Sequence, residues 1–375
     1  MNKLGTALVL GAIAGGGIAS ANADDFGGPG AQHAVFVMTN DADANEIVAY
    51  ERTPYGTLQS PRRYSTAGRG SGGTVDPLGS QGSLTLSDDG NLLFATNAGS
   101  GDLSVFRVLG SRLLLTARVP TGGSEPNAVA QHGRLVYVLN TAGSSSVVGF
   151  RLNGGRLSRI HDSQRFLSGN FANSASLAFS PDGHFLVVTE RTTNSIDVFR
   201  VQPDGRLSDI NVNASAGPGA FSAVFAPDGT VIVAETGSGA PLGSAISSYR
   251  IGADGKLLPV SVSLPTLGDA NCWNVVTPDG RFVYTSNAGS SSIAGFAIEA
   301  HGELHPIGST IVGVNPAGST NLDIAVSVDG RFLYSLNAAS GTVGAFAINR
   351  DGSLTSLGVR GGLPALAGLN GIAAN

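Results

Sequence analysis

Two glutamates in adjacent units of an internal repeat, Glu190 and Glu235, are the side chains of this sequence that best fit acid–base chemistry. Like charges held close together raise the pKa of one of the two, so that one carboxyl can serve as an acid and the other as a base. Arg191 directly follows Glu190 and could orient a substrate carboxylate. We therefore predict that Glu190, Arg191 and Glu235 are catalytic. The competing interpretation is a Glu–Arg pair that joins two units of the fold.

Polar and aromatic residues at equivalent ends of other predicted strands form a second group of candidates. Trp273, the single tryptophan, could be a stacking platform for a planar or sugar-like ligand, or a plug that fills a central channel. A ring of Glu, Asn and Asp oxygens also suits a divalent cation such as calcium, and no motif indicates another cofactor. The predicted substrate-binding residues are Trp273, Asn274, Asp323, Asn287, Asn140 and Asn127.

A repeated unit of four strands must position these residues. Each unit places an apolar segment before an Asp-Gly type of turn, in which glycine accepts the positive φ that closes the turn. Four antiparallel strands make a sheet with two apolar faces, and stacking such sheets around an axis buries both. We therefore predict an all-β, seven-bladed β-propeller of four-stranded antiparallel blades. The turn glycines that define the repeat are Gly90, Gly133, Gly183, Gly229, Gly280 and Gly330.

The two ends of the chain predict how the ring closes. The segment 33–40 aligns with second strands of later units, so the first unit lacks its first strand. The segment 369–375 supplies a spare strand that would complete the N-terminal blade and remove exposed sheet edges. Aligning the ends of the second strands then gives one residue per blade. These are Asn40, Asn97, Asn140, Glu190, Glu235, Asn287 and Asn337, which we call the ring residues.

Composition excludes several classes of protein. The chain has 375 residues, of which 42% are hydrophobic and 13% charged, which does not fit an intrinsically disordered protein. The single cysteine, Cys272, excludes an intrachain disulfide and a zinc site built on cysteines. A net charge of −5 without a basic run provides no electrostatic footprint for nucleic acid.

The N-terminal residues have the features of an export signal. Lys3 precedes a run of small and apolar residues, and Ala19, Ala21 and Ala23 form A-x-A cleavage signals. We predict a signal peptide over residues 1–23, a flexible mature N-terminus over 24–32 and a single propeller domain over 33–375. The mature protein is expected to be secreted or periplasmic, without a membrane span, and monomeric.

Two stretches of the sequence carry a family resemblance, VVTERTTNSID at residues 187–197 and CWNVVTPDG at residues 272–280. They resemble the lactonase family of seven-bladed β-propellers, which includes 6-phosphogluconolactonase-like proteins and fungal carboxymuconate cyclases. The resemblance extends from Ala34 to Asn375. It implies a polar channel mouth with His, Arg and Glu, for which Glu190, Arg191 and Glu235 are the counterparts. No histidine falls among the ring residues. Arg191 alone is a weak match for a phosphorylated sugar.

The resemblance and the candidate residues predict an exported lactonase-like propeller. Its reaction would be hydrolysis of a small carboxylated or sugar-derived lactone, or a cycloisomerisation of the muconate type. In hydrolysis, Arg191 would hold the anion while Glu190 and Glu235 share the acid and base roles. The alternative is a non-catalytic binding or scaffold propeller whose mouth recognises a glycan, a peptide or a protein partner.

Overall fold

The computed structural model describes residues 33–375, and the predicted signal peptide and flexible N-terminus lie outside this range. The described residues form seven antiparallel sheets of four main strands each, and in six of these sheets the four strands follow one another in the chain. The C-terminal strand joins the sheet of the first three strands. These observations confirm the predicted seven-bladed β-propeller and the way its ring closes.

The strands of the first four blades are given from the innermost to the outermost. Blade one contains β29 (Asn370–Ala374), β1 (His33–Met38), β2 (Glu46–Arg52) and β3 (Arg62–Ser65). Blade two contains β4 (Leu84–Leu86), β5 (Leu92–Asn97), β6 (Asp102–Leu109) and β7 (Arg112–Pro120). Blade three contains β8 (Pro126–His132), β9 (Leu135–Asn140), β10 (Ser146–Asn153) and β11 (Arg156–Arg159), with β12 (Arg165–Phe166) also paired to β10. Blade four contains β13 (Ser174–Phe179), β14 (Phe185–Glu190), β15 (Ser195–Arg200) and β16 (Asn211–Ala214).

The remaining three blades follow the same order. Blade five contains β17 (Ala220–Phe225), β18 (Val231–Glu235), β19 (Ala245–Ile251) and β20 (Leu257–Pro265). Blade six contains β21 (Asn271–Val276), β22 (Phe282–Asn287), β23 (Ser292–Ile298) and β24 (Leu304–Val314). Blade seven contains β25 (Asn321–Val326), β26 (Phe332–Asn337), β27 (Thr342–Ile348) and β28 (Leu354–Arg360). Between residues 33 and 375 the helical elements are two 3-10 turns, Ala288–Ser290 and Ala300–Gly302.

The Pro-Asp-Gly turns join first to second strands as the sequence predicts. Gly183 and Gly280 adopt φ values of 70° and 72°, which L side chains rarely reach. The second strands that follow are covered on both faces by the neighbouring blades, and every residue of β22 and of β26 is buried. Both faces of a blade are covered, so the first three residues of each of these strands are apolar or aromatic, and the polar residues follow toward the mouth end.

Contacts between the last and the first blade close the ring. In blade one, β29 pairs with β1, with Phe36 opposite Ala373. The Tyr334 hydroxyl of blade seven donates a hydrogen bond of 2.9 Å to the Gly56 carbonyl oxygen of blade one. Arg52 forms an ion pair with Asp329 at 3.1 Å across the same junction. The junction is therefore stabilised by packing and by polar contacts as well as by the strand pairing.

Bulges at the mouth end of the first strands set the direction of the site side chains. In blade six, Asn271 pairs with Asn287 but Trp273 pairs with Ser286, so that Cys272 is an additional residue. A comparable shift occurs in blade seven between Asn321 and Ile324. A bulge bends its strand and re-aims the side chains next to it. No helix among residues 33–375 is long and apolar enough to cross a membrane.

Candidate active site

The ring residues share one structural task, which is to hold the loop that enters their own blade. All seven are buried at the ends of second strands. A side chain at Gly217 or Gly268, in the loops before blades five and six, would overlap Glu235 or Asn287. This close approach requires glycine. Most ring side chains also hydrogen-bond the surrounding loop, as Asn40 does with Ser71, whereas Asn140 packs there without a hydrogen bond. Close packing against a loop glycine is therefore a structural role that both asparagine and glutamate fill at the ring position.

Glu190 is bound on all sides by protein groups. Its carboxylate accepts hydrogen bonds from the Ser168 and Thr193 hydroxyls, both at 2.7 Å, and from the Gly169 amide at 3.2 Å. It also faces Asp197 of the next strand, whose pKa is raised by burial and by the charge of Glu190. Glu190 and Asp197 thus form a buried pair of acids inside blade four.

Glu235 has an equivalent set of donors in blade five. Its carboxylate accepts hydrogen bonds from the Gly217 amide at 2.9 Å, the Ser247 hydroxyl at 2.6 Å and the Ser263 hydroxyl at 2.7 Å. Like Glu190 it is fully buried, and neither glutamate lines the pocket at the mouth of the channel. The structure therefore does not bring the two predicted catalytic glutamates together in one open site. Their catalytic role stays a prediction.

A segment of residues 74–83, which we call the channel segment, crosses the centre of the ring. The Ser80 hydroxyl donates a hydrogen bond of 2.7 Å to the Asn127 carbonyl oxygen of blade three. The Gln81 amide donates one of 2.9 Å to the Ala175 carbonyl oxygen of blade four. Trp273 of blade six donates from Nε1 to the Ser80 carbonyl oxygen at 2.9 Å. One short segment can contact blades three, four and six only from within the central channel.

Two of the predicted binding residues serve this segment. The Gln81 side chain bonds the backbone of Asn274 twice, at 2.6 and 3.1 Å. Asn127 donates from Nδ2 to the Ser174 carbonyl oxygen at 2.9 Å and lies next to Ser80. Both asparagines are fully buried and neither lines the mouth pocket. Asn140 and Asn287 are ring residues, and they too lie outside the pocket lining.

A pocket of about 660 Å³ lies at the mouth above the channel segment. It is bounded by the loop after β18, the loops before β21 and β25, and the channel segment itself. Arg191 and Trp273 are the two predicted site residues that the structure brings together here. The other residues that line it include Val75, Asp76, Thr236, Ala240, Pro241, Ser244, Asp269, Cys272, Thr320 and Leu322.

Trp273 is the floor of the pocket and is nearly fully buried. Its ring packs edge-on against Phe221, with the ring centroids 5.1 Å apart. The Arg191 guanidinium lies 5.8 Å from the centroid of the same Phe221 ring, a cation–π distance. Within residues 33–375 that guanidinium forms no ion pair and no hydrogen bond. The pocket thus holds a positive charge that remains available to an anionic ligand.

Asp76 of the channel segment is the carboxyl that shares the pocket with Arg191. Burial raises its pKa to about 7, while the Arg191 charge acts in the opposite direction. Its Oδ1 accepts a hydrogen bond of 3.1 Å from Asn370 of the C-terminal strand. Its backbone φ is 42°, a left-handed conformation that is uncommon outside glycine. A half-buried carboxyl that titrates near neutral pH has the properties of a general base.

Asp323 lies deeper than Asp76 and is one of the predicted binding residues. Burial raises its pKa to about 8, and the charge of Asp76 contributes in the same direction. Its Oδ2 accepts a hydrogen bond of 3.3 Å from the Ile372 amide, and it is only 2% exposed. Asp323 therefore secures the C-terminal strand behind the site and does not line the pocket. Burial also raises the pKa of the Cys272 thiol well above its usual value.

Two further findings concern metal binding and Asp76, a pocket residue that the sequence did not predict. Across residues 33–375 no group of three or more His, Cys, Asp and Glu side chains is arranged to hold a metal ion. Asp76 was not predicted, because it lies in a connection that has no counterpart in the repeat. The unusual length of the chain between β3 and β4 was the signal that this connection has a separate task.

Comparison with known families agrees with this architecture. The family model described as "Lactonase, 7-bladed beta-propeller" matches residues 33–164, 128–272 and 274–364. The chain belongs to this lactonase family. That membership confirms the resemblance seen in the sequence. No match was found among curated proteins.

Solved structures show the same fold at low sequence identity. A periplasmic gluconolactonase of Pseudomonas aeruginosa is 20% identical with a TM-score of 0.69, over 90% of this chain and 98% of that one. A putative 6-phosphogluconolactonase of Bacteroides uniformis is 19% identical with a TM-score of 0.68, over 92% and 100% of the two chains. A protein of Lactobacillus plantarum is 19% identical with a TM-score of 0.70, over 92% and 98%. These similarities show that this lactonase-family protein shares its fold with the three proteins over nearly the whole length of each chain.

Proposed function

We propose that this protein is an exported lactonase that hydrolyses a small lactone bearing a carboxylate in the mouth pocket. One observation carries the proposal: an uncommitted arginine and a carboxyl with a pKa of about 7, Arg191 and Asp76, line the same pocket. Membership of the lactonase family supports a lactone as the substrate class.

Hydrolysis in this pocket would proceed by attack of water on the ring carbonyl. Asp76 in its ionised form accepts a proton as the water oxygen bonds to the acyl carbon. The acyl–oxygen bond of the ring then breaks, and the leaving alkoxide takes a proton from the Asp76 carboxyl. The product is the open hydroxy acid, and Asp76 returns to its starting form.

Arg191 would bind the substrate carboxylate and fix the position of the ring. A guanidinium forms short, charge-assisted hydrogen bonds with a carboxylate and can do so through two parallel N–H groups. Its position over Phe221 restricts the side chain before a ligand arrives, which lowers the entropy lost on binding. Trp273 below would close the pocket toward the central channel.

The site of action is part of the same proposal. The N-terminal residues have the pattern of an export signal, and a structural neighbour is named as a periplasmic protein. An exported enzyme meets its lactone substrates outside the cytoplasm. A pocket with one arginine also suits a carboxylated lactone better than a phosphorylated metabolite. Secretion of the full-length chain with loss of residues 1–23, read by N-terminal sequencing, tests this part.

The activity is tested with a panel of lactones and two arginine variants. The wild-type protein should open a γ-lactone with a carboxymethyl substituent, and Arg191→Gln should lower kcat/KM at least about tenfold through the lost charge-assisted bonds. Arg206→Gln, at an exposed turn far from the pocket, is the matched control and should keep full activity. If no lactone of the panel is opened by the wild type, the proposal is wrong.

Two alternative functions use the same pocket. A cycloisomerase would convert an unsaturated diacid into a lactone, with the Asp76 carboxyl protonating carbon, and such a diacid belongs in the same panel. A non-catalytic binding propeller is favoured by the structural contacts of Glu190 and Glu235. It would bind a glycan, a peptide or a protein at the mouth without any turnover.

A further inference from the structure

The walls of the mouth pocket are mainly apolar. Val75, Ala240, Pro241 and Leu322 line its sides, and the Trp273 ring closes its floor. Such a surface gains free energy when a ligand covers it with carbon atoms, by about 25 cal/mol for each Å² removed from water. A ligand made only of hydroxyl groups would leave this surface without a matching partner.

Most polar groups of the pocket are already engaged with the protein. The Ser244 hydroxyl donates to the Thr236 carbonyl oxygen at 2.9 Å and accepts the Asn271 amide at 3.0 Å. Asp269 accepts the Leu242 amide through Oδ1. Among the polar side chains that line the pocket in the described part of the chain, those without a hydrogen bond are Arg191, Thr236 and Thr320. This set is too small for a sugar lactone, because each buried hydroxyl without a partner costs about 1–3 kcal/mol.

Two exposed leucines lie in the loops that bound the pocket, close in sequence to lining residues. Leu242 follows Pro241 and is 56% exposed, and Leu267 lies two residues before Asp269 and is 47% exposed. Both adopt a left-handed backbone conformation, with φ of 54° and 56°. The bond from the Leu242 amide to Asp269 joins the two loops. A bulky residue in this conformation costs free energy.

We propose that the ligand of this pocket is an amphipathic lactone, with one carboxylate and an alkyl or aryl substituent, and not a polyhydroxylated sugar lactone. This inference rests on the proposed lactonase function for the nature of the reacting ring. Arg191 binds the carboxylate. The substituent lies against Pro241 and Leu322 and passes beneath Leu242 and Leu267.

The ligand class can be measured without any turnover, since the one tryptophan of the chain is the floor of the pocket. Octanoate and gluconate are the probes, and each is titrated while the tryptophan emission is recorded. Octanoate should bind with a Kd at least about tenfold lower than gluconate, and Arg191→Gln should remove most of its affinity. Gluconate binding as tightly as octanoate, or no response to octanoate, overturns the inference.

A homologous series of carboxylated lactones tests the apolar wall by kinetics. For each methylene added to the substituent, kcat/KM should rise by about fourfold until the wall is covered, which corresponds to about 0.8 kcal/mol. The double variant Leu242→Ser/Leu267→Ser should flatten this increase. Leu258→Ser, which changes an equally exposed leucine on β20, is the control and should keep it.

The outcomes separate the two proposals. Hydrolysis of gluconolactone without a gain along the series overturns the ligand class, including the carboxylate, and leaves the lactone-opening reaction intact. Octanoate binding without turnover of any lactone overturns the lactonase function and supports the ligand class. An unchanged series in the leucine double variant overturns the part of Leu242 and Leu267 in the site.

Discussion

The indole Nε1 of Trp273 donates a hydrogen bond of 2.9 Å to the carbonyl oxygen of Ser80, although 193 residues separate the two in the chain. This bond joins the first strand of blade six to the segment that crosses the channel. The bond fixes the position of Trp273 in the floor of the mouth pocket. It also fixes the backbone of the channel segment, which carries Asp76 four residues before Ser80. The site is therefore assembled by the repeat and by a connection that is not part of it.

The first prediction concerns this bond. Trp273→Phe keeps an aromatic ring but leaves the buried Ser80 carbonyl oxygen without its donor, so the free energy of unfolding should fall by about 1–3 kcal/mol. Urea unfolding followed by circular dichroism measures the change. Tyr55→Phe, at an exposed aromatic residue, is the control and should be neutral. Equal stability of the Trp273 variant and the wild type would show that the bond does not hold the segment.

The second prediction separates a structural from a catalytic role for Glu235. In Glu235→Gln one carboxylate oxygen becomes an NH₂ group, which either faces the Gly217 amide as a second donor or forces the Ser263 hydroxyl to turn from donor to acceptor. We expect a loss of about 1–3 kcal/mol in stability, with the turnover of the folded protein nearly unchanged. A catalytic acid or base would instead lose roughly 10²–10⁴ in kcat at unchanged stability. Both quantities are measured on the same preparation.

The third prediction is a dependence of stability on pH. Burial raises the pKa of Asp76, Asp197 and Asp323 above the value near 3.8 that they have in the unfolded chain. The folded state then binds more protons than the unfolded state between about pH 4 and pH 8. The free energy of unfolding should therefore fall by several kcal/mol as the pH rises through this range.

Asp323→Asn provides the control for that dependence. The substituted amide is neutral at every pH. The free energy of unfolding of the variant should therefore fall less between pH 4 and pH 8 than that of the wild type. Asp182, whose pKa is lowered to about 2 mainly by its bond from Ser180, acts in the opposite direction and only below pH 4. Stability that rises from pH 4 to pH 8 in the wild type would contradict the assignment of buried, protonated carboxyls.

The fourth prediction is the pH profile of catalysis. If Asp76 is the base, kcat/KM should rise with pH and level off above its pKa of about 7. Because the Arg191 charge lowers the pKa of Asp76, Arg191→Gln should shift the midpoint to higher pH. Arg191→Lys keeps the positive charge, so the midpoint of its pH profile should lie close to that of the wild type. Its affinity for the carboxylated ligand should recover less fully. A midpoint that does not move in Arg191→Gln would mean that the two groups do not interact.

The sequence predicted the blades better than it predicted the site. The turn glycines and the spare C-terminal strand specify seven blades and their closure, since they follow from local turn chemistry and from the need to bury two apolar faces. Glu190 and Glu235 were selected because they depart from the asparagine of the other ring residues. The structure shows that a carboxylate meets the same requirement when serine hydroxyls and backbone amides surround it.

The long connection between β3 and β4 carries the site residues whose positions could not be predicted from the sequence. Asp76 and Ser80 have no equivalents in other blades, so an alignment of repeats does not place them. Their positions depend on bonds to blades three, four and six, which become evident only once the ring is closed. Trp273 was predicted either as a platform or as a plug, and the structure places it in the floor of the pocket.

The most direct test of the account is the turnover of a carboxylated lactone by Asp76→Asn compared with Asp269→Asn. Both carboxyls line the pocket, but that of Asp269 bonds the Leu242 amide. We expect Asp76→Asn to lower kcat by roughly 10²–10⁴ while the affinity for octanoate is retained, and Asp269→Asn to keep kcat within about tenfold of the wild type. Full activity in Asp76→Asn would contradict the central claim that Asp76 is the base.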